Sequence, residues 1–196
     1  MNVLGINGSP RVGGNTDLLL DKVLSGAKTK EVNIEKVLLA KLKFSPCLEC
    51  EKTPNDGRCW LKDDLQQVYS KIENSDIIIL ASPIFFGSLT AQTKMLIDRY
   101  QCLWTYKNIV LHKNNIDKVD KREQSRKRKG VFISVEASHR KDFFYNARSI
   151  VKNFFVTIDV NYQEELFVSG VDQKGSILNY PDVLEQAFSL GEKIVS

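Results

Sequence analysis

The sequence predicts a doubly wound α/β fold, a single domain built on one five-stranded parallel sheet with helices on both faces. Three observations carry that prediction. Apolar runs short enough to be strands alternate five times with stretches of helical period. Two of the runs, Ile77-Ile78-Ile79-Leu80 and Val131-Phe132-Ile133, are apolar without interruption, as in strands covered on both faces. A Gly-rich turn follows the first strand, at the end of the sheet where such folds bind ligands.

Taken in order, the first strand is expected over 3–6. It breaks at Asn7-Gly8-Ser9-Pro10, and from Asn15 the positions Leu18, Leu19, Leu20, Val23 and Leu24 recur at helical spacing, giving a helix over 15–29. A strand over 32–39 and a helix over 65–74 follow, separated by a loop over 45–64 that holds Cys47, Cys50 and Cys59. The third strand is read over 76–81 and the third helix over 91–100. A charged loop over 111–130 precedes a strand over 131–135, and a helix over 141–155, a strand over 164–168 and a helix over 181–195 complete the chain. Right-handed crossovers make the five strands parallel. The loops 7–14, 82–90 and 136–140 then leave the carboxyl ends of strands together.

Composition bounds the function. A chain of 196 residues, 42% hydrophobic and 27% charged, suits one globular domain with a full core. No apolar run approaches the roughly 20 residues that span a bilayer, so no membrane partner is expected. The start reads as a strand rather than a signal peptide, which places the protein in the cytoplasm. Between Lys107 and Lys129 nine basic residues face three acidic ones, so the net charge of +4 is concentrated in one segment. That run lacks the interleaved aromatics of a nucleic-acid reader, and none is expected as a partner. It is either a solvated loop or a source of cations for an anion such as the 2′-phosphate of NADPH.

The first loop has the features of an oxyanion site: Gly8, Gly13 and Gly14, the hydroxyls of Ser9 and Thr16, the cation Arg11, and a helix start at Asn15. It lacks the Gly-Lys-Ser/Thr of a nucleoside-triphosphate loop, and no Gly-x-Gly-x-x-Gly or acidic end to the second strand marks a dinucleotide fold. A single phosphate monoester, such as that of FMN, suits what remains; the alternative is an ordinary Gly-rich turn. The loop Ser82-Pro83-Ile84-Phe85-Phe86-Gly87-Ser88-Leu89-Thr90 is aromatic where loops are usually polar. It offers a flat heteroaromatic a surface to lie on and backbone N–H groups at its polar edge, although one of the two phenylalanines is equally suited to plugging the sheet's end.

Gly8-Ser9-Pro10-Arg11 with Gly14-Asn15-Thr16, Pro46-Cys47 with Cys50 and Gly57 to Cys59, Lys62-Asp63-Asp64, Ser82-Pro83 to Gly87, and Lys94 with Ile97-Asp98-Arg99 stand in the order and spacing of one family. The chain resembles the NADPH-dependent FMN reductases and iron-sulfur flavoproteins. That resemblance implies a flavodoxin-like sheet of order 2-1-3-4-5, tightly held FMN, NAD(P)H as co-substrate, and a homodimer or homotetramer in which a neighbour covers part of the flavin. It also implies that Ser9, Arg11, Asn15 and Thr16, with Gly13 and Gly14, hold the phosphate, and that Pro83, Ile84, Phe85, Phe86, Gly87 and Ser88 line the isoalloxazine. In cluster-bearing relatives three cysteines at two-residue gaps precede a fourth, whereas Thr53 occupies the third position here. A [4Fe–4S] cluster takes four thiolates, so the expectation is free thiols and no iron-sulfur cluster.

The activity that follows is oxidoreduction of the FMN-reductase or quinone-reductase type, from NAD(P)H to a small-molecule acceptor such as a quinone, free flavin or nitroaromatic. The cofactor carries such chemistry, so no catalytic side chain is required. N–H groups of the 82–90 and 136–139 segments would offset charge at the flavin's edge. His139 is either a proton donor there or an exposed loop residue. The alternative function is a non-enzymatic electron carrier, against which the net positive charge and the cysteine loop weigh.

Overall fold

The computed structural model describes residues 1–49, 56–111, 127–140 and 142–196. Five strands, β1 (Asn2–Asn7), β2 (Asn33–Leu38), β3 (Ile77–Ala81), β4 (Arg128–Val135) and β5 (Val160–Val168), form one parallel sheet of order β2-β1-β3-β4-β5. Among the described residues the α-helices are α1 (Asn15–Ala27), α2 (Leu65–Asn74), α3 (Ala91–Asp98), α4 (Gln101–Thr105), α5 (Asp142–Thr157) and α6 (Pro181–Ile194). Alternation along the strands builds two cores. Leu4, Ile6, Ile78, Leu80 and Phe132 pack with α2, α3 and α5, while Val3, Ile77, Ile79, Val131 and Ile133 pack with α1 and α6.

Helices α1 and α6 touch through glycines. A methyl on Gly26 would stand 2.0 Å from the Phe188 carbonyl oxygen, and one on Gly191 the same distance from that of Val23. The two backbones therefore approach more closely than any side chain would permit.

Several boundaries differ from the sequence expectation by a residue or two, and three departures have a visible physical reason or consequence. β4 begins at Arg128 rather than Val131, because its first two residues reach helix ends: Arg128 donates to the carbonyls of Ile72, Ser75 and Ile158, and Lys129 to those of Ile194 and Ser196. Cations suit carbonyls exposed at helix C-termini, so charge that reads as loop is strand here. β5 begins at Val160 because it is an edge strand whose alternating face is solvated. The third helix ends at Asp98, and the chain continues through α4 and one π-turn at Tyr106–Val110. Tyr100, just past α3, is buried edge-on against Tyr69 and Phe154, whereas Trp104 is exposed. Of the basic loop, residues 112–126 lie outside the described residues, as do Cys50, Thr53 and Lys141.

Candidate functional site

A cleft opens beyond the carboxyl ends of β1, β3 and β4. The first loop contributes Ser9, Arg11, Gly14, Asn15 and Thr16; the second contributes Pro83, Ile84 and Phe85. The strand order reverses here, with β1 flanked by β2 on one side and β3 on the other.

The first loop is shaped by its own hydrogen bonds. Ser9 N–H donates to Asn7 Oδ1 at 2.8 Å, and Arg11 N–H to Ser9 Oγ at 3.2 Å. The three glycine amides, read from the sequence as anion donors, are engaged elsewhere: Gly8 N–H with Ala81 O (2.7 Å), Gly13 N–H with Asp17 Oδ2 (2.7 Å), and Gly14 N–H with Arg11 O (2.9 Å). Gly8 also permits a close approach, since a methyl there would stand 1.7 Å from Thr93 Oγ1.

The available donors lie one residue further on. Gly14 caps α1 without a side chain, and the amides of Asn15 and Thr16, in a first turn that has no intrahelical acceptor, have no partner among the described residues. Thr16 is 2% exposed and lines the cleft, and its hydroxyl makes no hydrogen bond to the described residues. What surface it keeps opens on the cleft, where the hydroxyl is free to donate to a ligand acceptor.

Electrostatics favour an anion. The positive end of α1 and the Arg11 guanidinium face the cleft. Asp17, the acidic residue of that helix turn, opposes burial, which raises its pKa, with Lys36 at 2.5 Å and the Gly13 N–H, which together hold it below the usual carboxylate value. Its charge is therefore met locally. Asn15 presents its side chain to another element: Nδ2 donates to Gln173 O at 2.9 Å, and Oδ1 accepts from Ile177 N–H at 3.2 Å.

The second loop is a hairpin. Phe85 and Ser88 exchange backbone hydrogen bonds at 2.8 and 3.1 Å, with Phe86 (φ 51°) and Gly87 (φ 77°) as its two left-handed corner residues. A phenylalanine in that conformation costs about 1–3 kcal/mol. The turn carries Phe86 fully into solvent and off the cleft wall, while Gly87 packs on the Phe143 ring. Pro83, Ile84 and Phe85 line the cleft; Phe86, Gly87, Ser88 and Gly13 do not. His139 is exposed, with its ring against Gly170, and likewise lies off the cleft lining.

Four lining residues had no sequence signal as site residues: Val135 at the end of β4, and Val171, Asp172 and Lys174 between β5 and α6; Ala137 belongs to the 136–139 segment expected at the flavin's edge. Arg11 Nη1 donates to Asp172 O at 3.4 Å. The contacts that bring this segment to the first loop span some 160 positions, beyond any local pattern.

The cysteine loop is fastened by Arg99, which is 1% exposed. Its guanidinium pairs with both Asp63 oxygens (2.7 and 3.3 Å) and donates to Ser45 O, Leu61 O and Cys59 Sγ (2.9, 3.3 and 3.1 Å). Burial raises the Asp63 pKa, but the Arg99 bonds and the Ser45 and Leu65 amides outweigh it and hold the carboxyl below its usual value. Among the described residues no three His, Cys, Asp or Glu side chains stand together as metal ligands. Cys50 and Thr53 lie outside the described residues; in the sequence Thr53 stands where a third closely spaced thiolate would, and Cys59 Sγ accepts from Arg99.

No helix among the described residues is long and apolar enough to cross a membrane. An iron-sulfur flavoprotein of Methanocaldococcus jannaschii is 40% identical over 99 residues, 50% of this chain and 51% of its own. One from Methanosarcina thermophila is 34% identical over 116 residues, 59% of this chain and 60% of its own. The chain thus spans about half the length of the curated relatives it matches. The solved NAD(P)H:quinone oxidoreductase from Methanothermobacter marburgensis shares the fold, with a TM-score of 0.72 at 17% identity over all of this chain and 96% of its own. The profile of the NADPH-dependent FMN reductases matches residues 1–162, from β1 into β5 with both cleft loops included, and the chain belongs to that family on a flavodoxin-like fold.

Proposed function

We propose that the protein is an FMN-dependent oxidoreductase that passes electrons from NAD(P)H to a small acceptor such as a quinone, free flavin or nitroaromatic. The observation that carries the reading is one cleft lined both by the unpartnered Thr16 hydroxyl at the start of α1 with Arg11 and by the apolar Pro83, Ile84 and Phe85. FMN, when bound, supplies the redox chemistry. The chain's own residues bind and orient. Thr16 and the Asn15 and Thr16 amides meet the phosphate, Ser9 shapes the loop, and Arg11 supplies charge. Pro83, Ile84 and Phe85 exclude water from one side of the ring system. The amide of Ala137, which lines the cleft, has no partner among the described residues and suits the polar edge of the ring.

The same proposal places the protein in the cytoplasm as a homodimer or homotetramer working without an iron-sulfur cluster. Exposed Phe86, Trp104 and Tyr145 support the oligomer, since large exposed aromatics are enriched at interfaces. The purified protein is expected to show flavin absorbance that NADH or NADPH alone bleaches without oxygen. Flavin that stays oxidised with both nucleotides would make the protein a carrier served by a separate reductase.

A further inference from the structure

Lys174 lies outside residues 1–162 matched by the family, yet it lines the same cleft as Ser9, Arg11 and Thr16. Its placement is built in steps. Val171 N–H donates to Glu136 O at 3.0 Å, which ties the start of the segment to the end of β4. Ser176 N–H then donates to Gln173 O at 3.0 Å and closes a four-residue turn. Gly175, at φ 84° and ψ −6°, occupies the left-handed third position of a type II turn, so Lys174 takes the second. Asn15 fastens this turn to α1 through Gln173 O and Ile177 N–H. The result is that Lys174 Nζ stands 3.9 Å from the point a methyl on Gly13 would occupy. No side chain among the described residues pairs with its ammonium.

We infer that Lys174 is a second cation of the phosphate subsite, and that Asn15 is the positioning residue that holds it there. The inference rests on the FMN reading. A phosphate monoester carries about 1.5 to 2 negative charges at neutral pH, more than Arg11 alone balances. Lys174 supplies the second charge, from the last third of the chain. The segment 171–177 acts as a strap closed over the loop by the two Asn15 hydrogen bonds. This gives a physical reason for asparagine at position 15: its amide serves the helix start, and its side chain, 158 positions from its acceptor in sequence, recruits a remote lysine.

The test is titration of FMN and of riboflavin into the full chain stripped of flavin, followed by fluorescence quenching. The two ligands share the ring system and differ in the phosphate. Lys174→Gln is expected to weaken FMN binding about tenfold, leave riboflavin unchanged and flatten the salt dependence of FMN affinity, whereas Lys174→Arg retains most of it. Asn15→Ala should give the same selective loss, and adding Lys174→Gln to it should cost little more, because the two act as one unit. Unchanged FMN affinity in Lys174→Gln, or an equal loss for both ligands, would overturn the assignment even where Thr16→Val still discriminates. Equal wild-type affinity for FMN and riboflavin is a different failure, removing the phosphate subsite and the proposed function with it.

Discussion

Replacing Thr16 by valine separates a ligand-binding hydroxyl from a structural one, because only the structural role predicts a loss of stability without ligand. Thr16 is 2% exposed, and its hydroxyl has no partner among the described residues. Valine keeps the shape and breaks no hydrogen bond of the flavin-free protein, so its stability should stay level to within about 0.5 kcal/mol. With FMN an effect should appear. A hydrogen bond to a charged acceptor contributes about 1.5–3 kcal/mol, so FMN affinity should fall roughly ten- to a hundredfold. Thr16→Ser should restore much of it. Thermal melts of the stripped protein and fluorescence titration of FMN read the two quantities independently. Undiminished FMN affinity, or a stripped protein made less stable, would refute the reasoning.

Three other outcomes can be checked. Asp63→Asn should cost about 3 kcal/mol at pH 7, because Arg99 keeps its charge in a buried place without the carboxylate. The Asp63 pKa is depressed in the folded chain, so its contribution is fully present above its unfolded value of about 3.9 and is lost as pH falls through the folded value; the gap between wild type and variant, followed by denaturant titration, should close below pH 4. Gly191→Ala would drive a methyl to within 2.0 Å of the Val23 carbonyl oxygen and should lower the melting temperature by roughly 6–12 °C, measured calorimetrically. Light scattering at micromolar concentration should give a multiple of the 22.3 kDa chain mass, and a monomer would remove the oligomer from the proposal.

Much of the site could be read from local sequence, for a physical reason. Ser9, Arg11 and Thr16 sit within one strand-turn-helix unit, where glycine spacing and a helix start locate the backbone. Phe86 could not be placed that way. Its direction depends on which residues close the hairpin, and phenylalanine in a left-handed corner runs against the turn chemistry that sequence reading relies on. The turn that carries Lys174 reaches Asn15 only through contacts some 160 positions apart in the chain. Arg128 and Lys129 belonged to a charge run whose solvated reading was reasonable, until helix ends on neighbouring elements provided carbonyls for them. Arg99 illustrates the same limit: nothing near it in the chain announces a guanidinium that is 1% exposed.

That guanidinium has a consequence for the segment it holds. One side chain at the end of α3 grips Ser45, Leu61 and Asp63, the two margins of the cysteine segment. The grip falls mainly on backbone carbonyls and one carboxylate at the margins, with Cys59 the one described thiol that it touches. A substitution elsewhere between the margins therefore leaves the anchorage in place, and what the stretch presents can change while its two ends stay where the domain holds them.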